Sequence, residues 1–267
     1  TASQILSGLV GSEMCIRDSL YTRRPAFCQP LLRLAAGPTS FRRQSCTLYS
    51  EFQYRYGLGF SKLKALIKSG LAKKPLVASL ETHWNRGKDY YSKPWRGTWE
   101  GEQGGAILSH SIHIHDLVSM ILGPVSNVFA KLSTRVNDIE VEDCAALSIE
   151  MENGTLVTSS ITLGAANDTS RLRFCFEGLT AESAASPEKP YSPADDEWTF
   201  LPTSPTTKIQ IEDVISKVKQ SKSWYAGMFE EIANKLNGLP SDEVTLRDAR
   251  NSLEFVTAVY ALSLIHI

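Results

Sequence analysis

Residues Gly104-Gly105-Ala106-Ile107-Leu108-Ser109-His110-Ser111-Ile112-His113-Ile114-His115-Asp116 place three of the chain's five histidines within six positions. The stretch runs on as an apolar segment to Leu122 and stops at Gly123-Pro124, a strong helix terminator, so its spacing predicts one long helix over 104–122. At about 100° per residue, Ser109, His113 and Asp116 fall on one narrow stripe. Ile107, Ile114, Val118 and Ile121 form the opposing apolar stripe, suited to packing on a sheet. His115 points away from His113, and His110 lies to one side. A histidine beside a helix-face carboxylate can hold a defined tautomer, turn its other nitrogen to a substrate hydroxyl and take a proton near neutrality. The double glycine lets a substrate or cofactor approach the backbone closely. Three other readings compete. Helical histidines are often structural. Three-histidine metal ligation needs a different backbone, because His113 and His115 diverge. A serine hydrolase would need a nucleophile elbow, and no G-x-S-x-G occurs.

Working outward, strand-like runs follow at 125–134, 144–151, 156–163 and 171–177, and Glu152-Asn153-Gly154-Thr155 is a hairpin signal. The segment 179–207 holds five prolines and reads as a long surface excursion. Helices are predicted at 224–236 and 246–261, the latter with Thr245 as N-cap and Asp248 completing a variant capping box. Upstream, 51–56 is aromatic-rich and reads as a strand. The stretch 60–69 puts Leu63, Leu66 and Ile67 on one face and stops at Gly70, as an amphipathic helix would, and 76–83 alternates after Pro75. This order describes an α+β fold, an antiparallel or mixed open sheet with helices on one face. No G-x-G-x-x-G follows a strand and opens a helix, and Gly57-Leu58-Gly59 is too short a signal. A Rossmann domain is therefore expected to be missing.

Between the strand at 76–83 and the helix at 104–122, Trp84, Asn85, Arg86, Tyr90, Tyr91, Trp95, Arg96 and Trp99 cluster within sixteen positions. Aromatic faces stack on the C–H surfaces of sugar rings, while Asn and Arg donate to hydroxyls or carboxylates. The plainer reading is packing of loop on core. As a group they suit a pocket wall leading to Gly104-Gly105, with His83 in the same pocket.

Composition narrows the classes further. The 267 residues are 42% hydrophobic with a formal net charge of −1, against the cationic excess of a nucleic-acid surface. No apolar run approaches the roughly 20 residues of a membrane span. Five cysteines without C-x-x-C spacing suggest a reducing, cytoplasmic setting, with Cys144 and Cys175 as small buried hydrophobes. The ends read differently. LVGSEMCIRDS at 9–19 and LSLIHI at 262–267 resemble translations of the two strands of a sequencing-library adapter. The stretch 21–50 has no sustained period. Residues 1–50 are therefore expected to be disordered or artefactual, 51–261 the domain and 262–267 an artefactual tail, with truncation accidental.

The pattern GGAIL-x4-H-x-x-D, followed by an apolar helix and LGPV, resembles the signature helix of the glucose–fructose oxidoreductase / inositol dehydrogenase (Gfo/Idh/MocA) family. YRYG at 54–57, LKALIKSGLAKKP at 63–75, WNRGKDYYSKPWRGTW at 84–99, WYAGMFEEIANKLNG at 224–238 and VTLRDARNSLEFVTAVY at 244–260 match in order. The resemblance covers about 51–261 and implies the substrate domain of an NAD(P)-dependent dehydrogenase acting on a sugar, inositol or related polyol. It implies that His113 relays the substrate proton. The family usually has aspartate four residues earlier, where this chain has Ser109, with His110 or Asp116 available to compensate. Ser109, His113 and Asp116 are thus the catalytic candidates. Arg55, Trp84, Asn85, Arg86, Tyr90, Tyr91, Trp95, Arg96, Trp99 and His110 are the substrate-binding candidates. The family's Glu-Lys-Pro lysine does not map onto Lys189, because Glu188-Lys189-Pro190 follows the signature helix. NAD or NADP would be bound by the missing N-terminal domain, so this chain alone is expected neither to bind NAD(P) nor to turn over. The resemblance further implies a homo-oligomer formed through the sheet, with no metal, nucleic acid or membrane partner. A non-catalytic sugar-binding or oligomerisation domain and a metal-dependent sugar isomerase or hydrolase are the alternatives.

Overall fold

A computed structural model describes residues 49–219 and 222–263. The adapter-like stretch 9–19 and nearly all of 1–50 lie outside the described residues, as do the last four residues of the expected tail.

Seven strands form one sheet: β1 Pro75–Asn85, β2 Val125–Ser133, β3 Cys144–Met151, β4 Leu156–Thr162, β5 Gly164–Phe176, β6 Leu179–Ser183 and β7 Trp198–Pro202. Their order is β2-β3-β4-β1-β5-β6-β7. The β1–β4 pair is parallel and every other pair antiparallel, so the sheet is mixed and open and the fold α+β, as expected. Side chains alternate across it with period two. Ala78, Leu80, Trp84, Leu147, Ile149, Val157, Ile161, Leu172 and Phe174 are buried, whereas Val77, Phe129, Leu156 and Leu201 on the other face are exposed.

Six helices accompany the sheet among the described residues: α1 Leu58–Lys68, α2 Trp99–Glu102, α3 Ile112–Leu122, α4 Pro205–Ser216, α5 Trp224–Leu236 and α6 Leu246–Ser263. α6 packs on β2 and on α3, α3 lies over β1, and α4 covers β7 and α1. Phe60, Leu63 and Leu66 of α1 and Ile114 and Leu117 of α3 are fully buried, each contributing roughly 1.5–3 kcal/mol. Ile107 and Val118 are buried as predicted, and Ile121 packs against the core from its edge.

Four local expectations are corrected. Residues 51–56 are not a strand: Gln53–Arg55 is a 3-10 helix. A strand would send Phe52, Tyr54 and Tyr56 to one face. Here Phe52 and Tyr56 pack with Met228 and Val244, while Tyr54 enters the main core. The proline-rich 179–207 is not a surface excursion but contains β6, β7 and the start of α4. Its prolines stand where they are tolerated: Pro202 ends the edge strand β7, and Pro205 opens α4 behind an N-cap at Ser204, whose Oγ accepts from Thr207 N. Residues 104–122 are not one α-helix, because Ile107–Ser111 is a five-residue π-helical turn that leads into α3. β5 begins at Gly164, well before the predicted 171. The hairpin at 152–155 is present, with Gly154 at φ 80° and its N–H donating to Met151 O. Asn153 keeps a negative φ, so this is a three-residue loop with glycine in the left-handed position. At the start of α6 the capping box forms: Thr245 N donates to Asp248 Oδ2 at 2.8 Å and Asp248 N to Thr245 Oγ1 at 3.2 Å.

Candidate active site

The signature segment is anchored at its start. Glu142, buried in the approach to β3, accepts from Gly105 N at 3.1 Å, Ile107 N at 2.9 Å and Tyr260 Oη at 2.8 Å. Its own carbonyl accepts from Ala106 N at 2.9 Å. Amides that a helix start leaves without partners are thereby satisfied from another part of the chain. Burial pushes the Glu142 carboxyl up, against the pull of the Ile107 amide and the Tyr260 hydroxyl. The approach is possible because residue 105 is glycine: a Cβ there would stand 1.9 Å from Glu142 O.

The π turn spreads its residues differently from an α turn, and the predicted Ser109–His113–Asp116 stripe does not assemble. Ser109 Oγ donates to Gly105 O at 2.6 Å and lies 2.7 Å from His110 Nδ1. Asp116, 1% exposed, accepts from Arg55 Nε and Nη2, both at 2.6 Å, and from Ser252 Oγ at 3.3 Å. Arg55 also reaches Asp248 at 3.3 Å. Burial opposes the charge on Arg55, but the hydrogen bonds and charge of Asp116, then of Asp248, outweigh it and hold the guanidinium protonated. Arg55 and Asp116 are thus committed to an interior ion pair that ties the 3-10 helix to α3 and α6.

The three histidines take separate surroundings. His115 shares a hydrogen bond with Ser159 Oγ at 3.0 Å and sets its ring edge on Phe255. His113 is stacked on Tyr54, with centroids 4.6 Å apart and planes 19° apart, and meets the edge of Phe52 at 5.8 Å. Its Nδ1 is buried and has no hydrogen-bond partner. Burial pushes His113 down to about 4. His110 is 4% exposed and packs edge-on to Trp84 at 5.4 Å, with Tyr90 at 5.7 Å. Burial, then the positive charges of Arg86 and Arg96 and the neighbouring His113, push it down to about 3. Among the described residues no group of three His, Cys, Asp or Glu side chains is placed to hold a metal ion.

The aromatic loop gathers round His110. The Arg86 guanidinium lies over Trp84 at 5.0 Å and over Tyr90 and Tyr191, both at 5.5 Å. It pairs with Asp168 at 2.8 Å, and Tyr191 Oη donates to the same carboxylate. Arg96 lies over Tyr90 at 3.9 Å and Trp95 at 4.4 Å and reaches Glu102 at 3.4 Å. Tyr91 meets the edge of Tyr90 at 5.0 Å. Trp84, Arg86, Tyr90, Tyr91, Trp95 and Arg96 therefore form one cluster with His110. Three expected wall residues stand apart. Asn85 donates to Ala165 O at 2.8 Å on the exposed strand end, and Trp99 packs on Tyr260 at 5.7 Å, by Glu142. His83 alternates with Trp84 and so emerges on the open sheet face, against Ser160 at 2.9 Å; its expected place in the pocket is corrected.

The segment that carries this cluster has a counterpart among known families: residues 60–181 match the model of the GFO/IDH/MocA C-terminal domain. This segment is a GFO/IDH/MocA C-terminal domain. It spans α1 to β6 and includes His110, His113 and the aromatic wall. Solved structures resemble the chain over more of its length. The WlbA dehydrogenase of Bordetella pertussis, in complex with NADH and UDP-GlcNAcA, aligns over 89% of this chain and 68% of its own at 22% identity and TM-score 0.71. The WlbA dehydrogenase of Chromobacterium violaceum, with the same ligands, covers 88% and 65% at 21% identity and TM-score 0.72. The aldose-aldose oxidoreductase of Caulobacter crescentus, complexed with glycerol, covers 89% and 68% at 15% identity and TM-score 0.67. At these identities the likeness is one of fold, and the chain spans about two thirds of each structure's length. No curated protein matches by sequence.

The glycine pair that opens α1 is filled by neighbouring chain. Gly57-Leu58-Gly59 opens α1, but a Cβ at Gly57 would stand 2.4 Å from Ala194 and one at Gly59 2.1 Å from Trp198. These glycines admit neighbouring chain rather than a ligand at their Cα atoms. Lys189 of Glu188-Lys189-Pro190 is bound to Asp195, at 2.7 Å to its carbonyl and 3.0 Å to its carboxylate. Sequence reasoning missed three residues of the cluster. Tyr54 sits in the YRYG motif beside Arg55, and its aromatic ring was the available signal. Asp168 and Tyr191 come from β5 and from the proline-rich stretch, and nothing local marks either as a partner of Arg86.

Proposed function

We propose that this protein is an NAD(P)-dependent oxidoreductase acting on a sugar, inositol or related polyol, with residues 51–261 as its substrate domain. The observation that carries the reading is His113: its unpartnered Nδ1 belongs to a ring stacked on Tyr54, on the same segment as His110 and the aromatic and arginine wall round it. Structures of the same fold are dehydrogenases holding NADH with UDP-GlcNAcA and an aldose-aldose oxidoreductase with glycerol. In this reading NAD or NADP is held by residues other than those described. The domain's share is to hold the hydroxylated substrate and take its proton. Burial keeps His113 uncharged at neutral pH, so a ring nitrogen can accept the proton of the hydroxyl being oxidised. Tyr54 fixes the plane of that ring. Arg86, held by Asp168, offers a guanidinium to hydroxyls or a carboxylate.

The same reading makes the protein a homo-oligomer that pairs through its open sheet face, where Val77, Phe129, Leu156 and Leu201 stand exposed. Val77 and Leu156 are register partners there.

The test is oxidation of a panel of sugars and polyols by the complete gene product with NAD+ or NADP+, followed by nicotinamide absorbance. His113→Ala should lower kcat about 10²–10⁴-fold. Turnover of no sugar or polyol with either nucleotide, or full activity in His113→Ala, would refute the assignment.

A further inference from the structure

The proton count at Ser109 fixes more than the position of one hydroxyl. A serine hydroxyl has a single hydrogen to donate. Ser109 Oγ lies 2.6 Å from the carbonyl oxygen of Gly105, and two oxygens at that separation repel unless a hydrogen lies between them. The hydroxyl hydrogen is therefore spent on Gly105. Oγ is left to act as acceptor toward His110 Nδ1, 2.7 Å away, so Nδ1 must carry the ring proton. An uncharged imidazole has only one, which leaves Nε2 bare. No hydrogen bond to Nε2 is made among the described residues, and unlike the Nδ1 atoms of His113 and His115 it is not a buried atom without a partner. Its ring is flanked by Trp84 at 5.4 Å and Tyr90 at 5.7 Å.

We propose that Ser109 and His110 form a specificity pair: Ser109 holds His110 as the Nδ1–H tautomer, and the bare Nε2 accepts a hydrogen bond from a hydroxyl or amide N–H of the bound substrate. The ligand rests on the sugar-oxidoreductase reading above; the tautomer does not. Burial first, and then the charges of Arg86 and Arg96, disfavour a second proton on the ring. His110 is thus an acceptor-only contact, which selects for a donor on the ligand and against a carboxylate oxygen at that point. Ser109 acts through His110 as a positioning residue and makes no hydrogen bond to His113. Ser109 therefore serves the neighbouring ring.

The test is long-range 1H–15N correlation on histidine-labelled full chain, which reads the tautomer directly, followed by titration with myo-inositol and N-acetyl-D-glucosamine. His110 should show a protonated Nδ1 and a bare Nε2. Ser109→Ala should release the tautomer, and Ser109→Thr, which keeps the hydroxyl, should restore it. A bound probe should shift the Nε2 resonance, with affinity lower by about 3- to 10-fold in Ser109→Ala, the worth of one hydrogen bond. A proton on Nε2 in the wild-type chain overturns the pair. So does a probe that moves the Trp84 indole signal but leaves Nε2 unchanged. If neither probe moves any resonance, the sugar reading fails, and the tautomer result alone decides the Ser109–His110 assignment.

Discussion

Arg55 and Asp116, 61 residues apart in sequence, close two 2.6 Å hydrogen bonds in the interior. Removing one partner leaves the other as an uncompensated buried charge. Arg55→Met should therefore destabilise the fold by about 3–5 kcal/mol, and Arg55→Met/Asp116→Leu should recover much of that loss. Urea unfolding measures both, and a single-variant loss below about 1 kcal/mol would contradict the account.

Acid should weaken the fold through its histidines. His110, His113 and His115 are pushed down to about 3, 4 and 4 by burial, while in the unfolded chain each titrates near 6.5. Below about pH 6.5 the unfolded state binds protons that the folded state refuses, so stability falls as pH drops from 6.5 toward 4 and is fully present above 6.5. The slope reaches up to about 1.4 kcal/mol per pH unit for each histidine. Glu142, pushed up by burial, slopes the other way and offsets part of the loss. Urea midpoints at pH 7 and pH 5 should differ clearly, and His115→Gln should flatten the difference. Equal midpoints would mean that these rings are not held neutral.

Glu142→Ala should free the start of the signature segment. It removes the acceptor of Ile107 N and Tyr260 Oη and one of the two acceptors of Gly105 N, which keeps Tyr260 Oη, at about 1–3 kcal/mol for each buried donor left without a partner. Hydrogen exchange should show faster exchange of the Gly105 and Ile107 amides, with little change in the distant β6–β7 pair.

Gly105→Ala should act on the same place by crowding. The added methyl would meet Glu142 O at 1.9 Å, which is backbone and cannot swing aside. A loss of about 1–3 kcal/mol or more is expected in thermal or urea unfolding. A neutral substitution would show that the Glu142 loop yields freely.

Periodicity made most of the architecture legible. β3 falls on its predicted bounds because Cys144–Met151 alternates without interruption, and α1, Leu58–Lys68 against the predicted 60–69, was legible because Leu63 and Leu66 share a face closed by Gly70. Composition misled where position mattered more: the prolines of 179–207 suggest a loop, yet each stands at a strand end, a helix start or the link between strands. The site was legible as a neighbourhood only. His110 and most of the Trp84–Arg96 wall converge, but His113 stacks on Tyr54 instead and Asp116 is held by Arg55, which lies far upstream. A uniform 100° step cannot foresee a π turn at Ile107–Ser111, and that turn redirects Ser109 from His113 to His110. Asp168 and Tyr191 meet Arg86 only through pairing across the sheet and the return of the chain after β6.

The place of β1 at the centre of the sheet bears on how the chain is made. Val77 pairs with Leu156 on one side and Cys175 on the other, so both flanks of this strand wait roughly 80 residues or more of synthesis for their partners. At about 5–20 residues per second, the nascent strand spends several seconds with two open edges. Contacts this distant in sequence also slow the search once the chain is free. The time between synthesis of β1 and synthesis of β4 is thus the interval in which this strand is most exposed to mispairing.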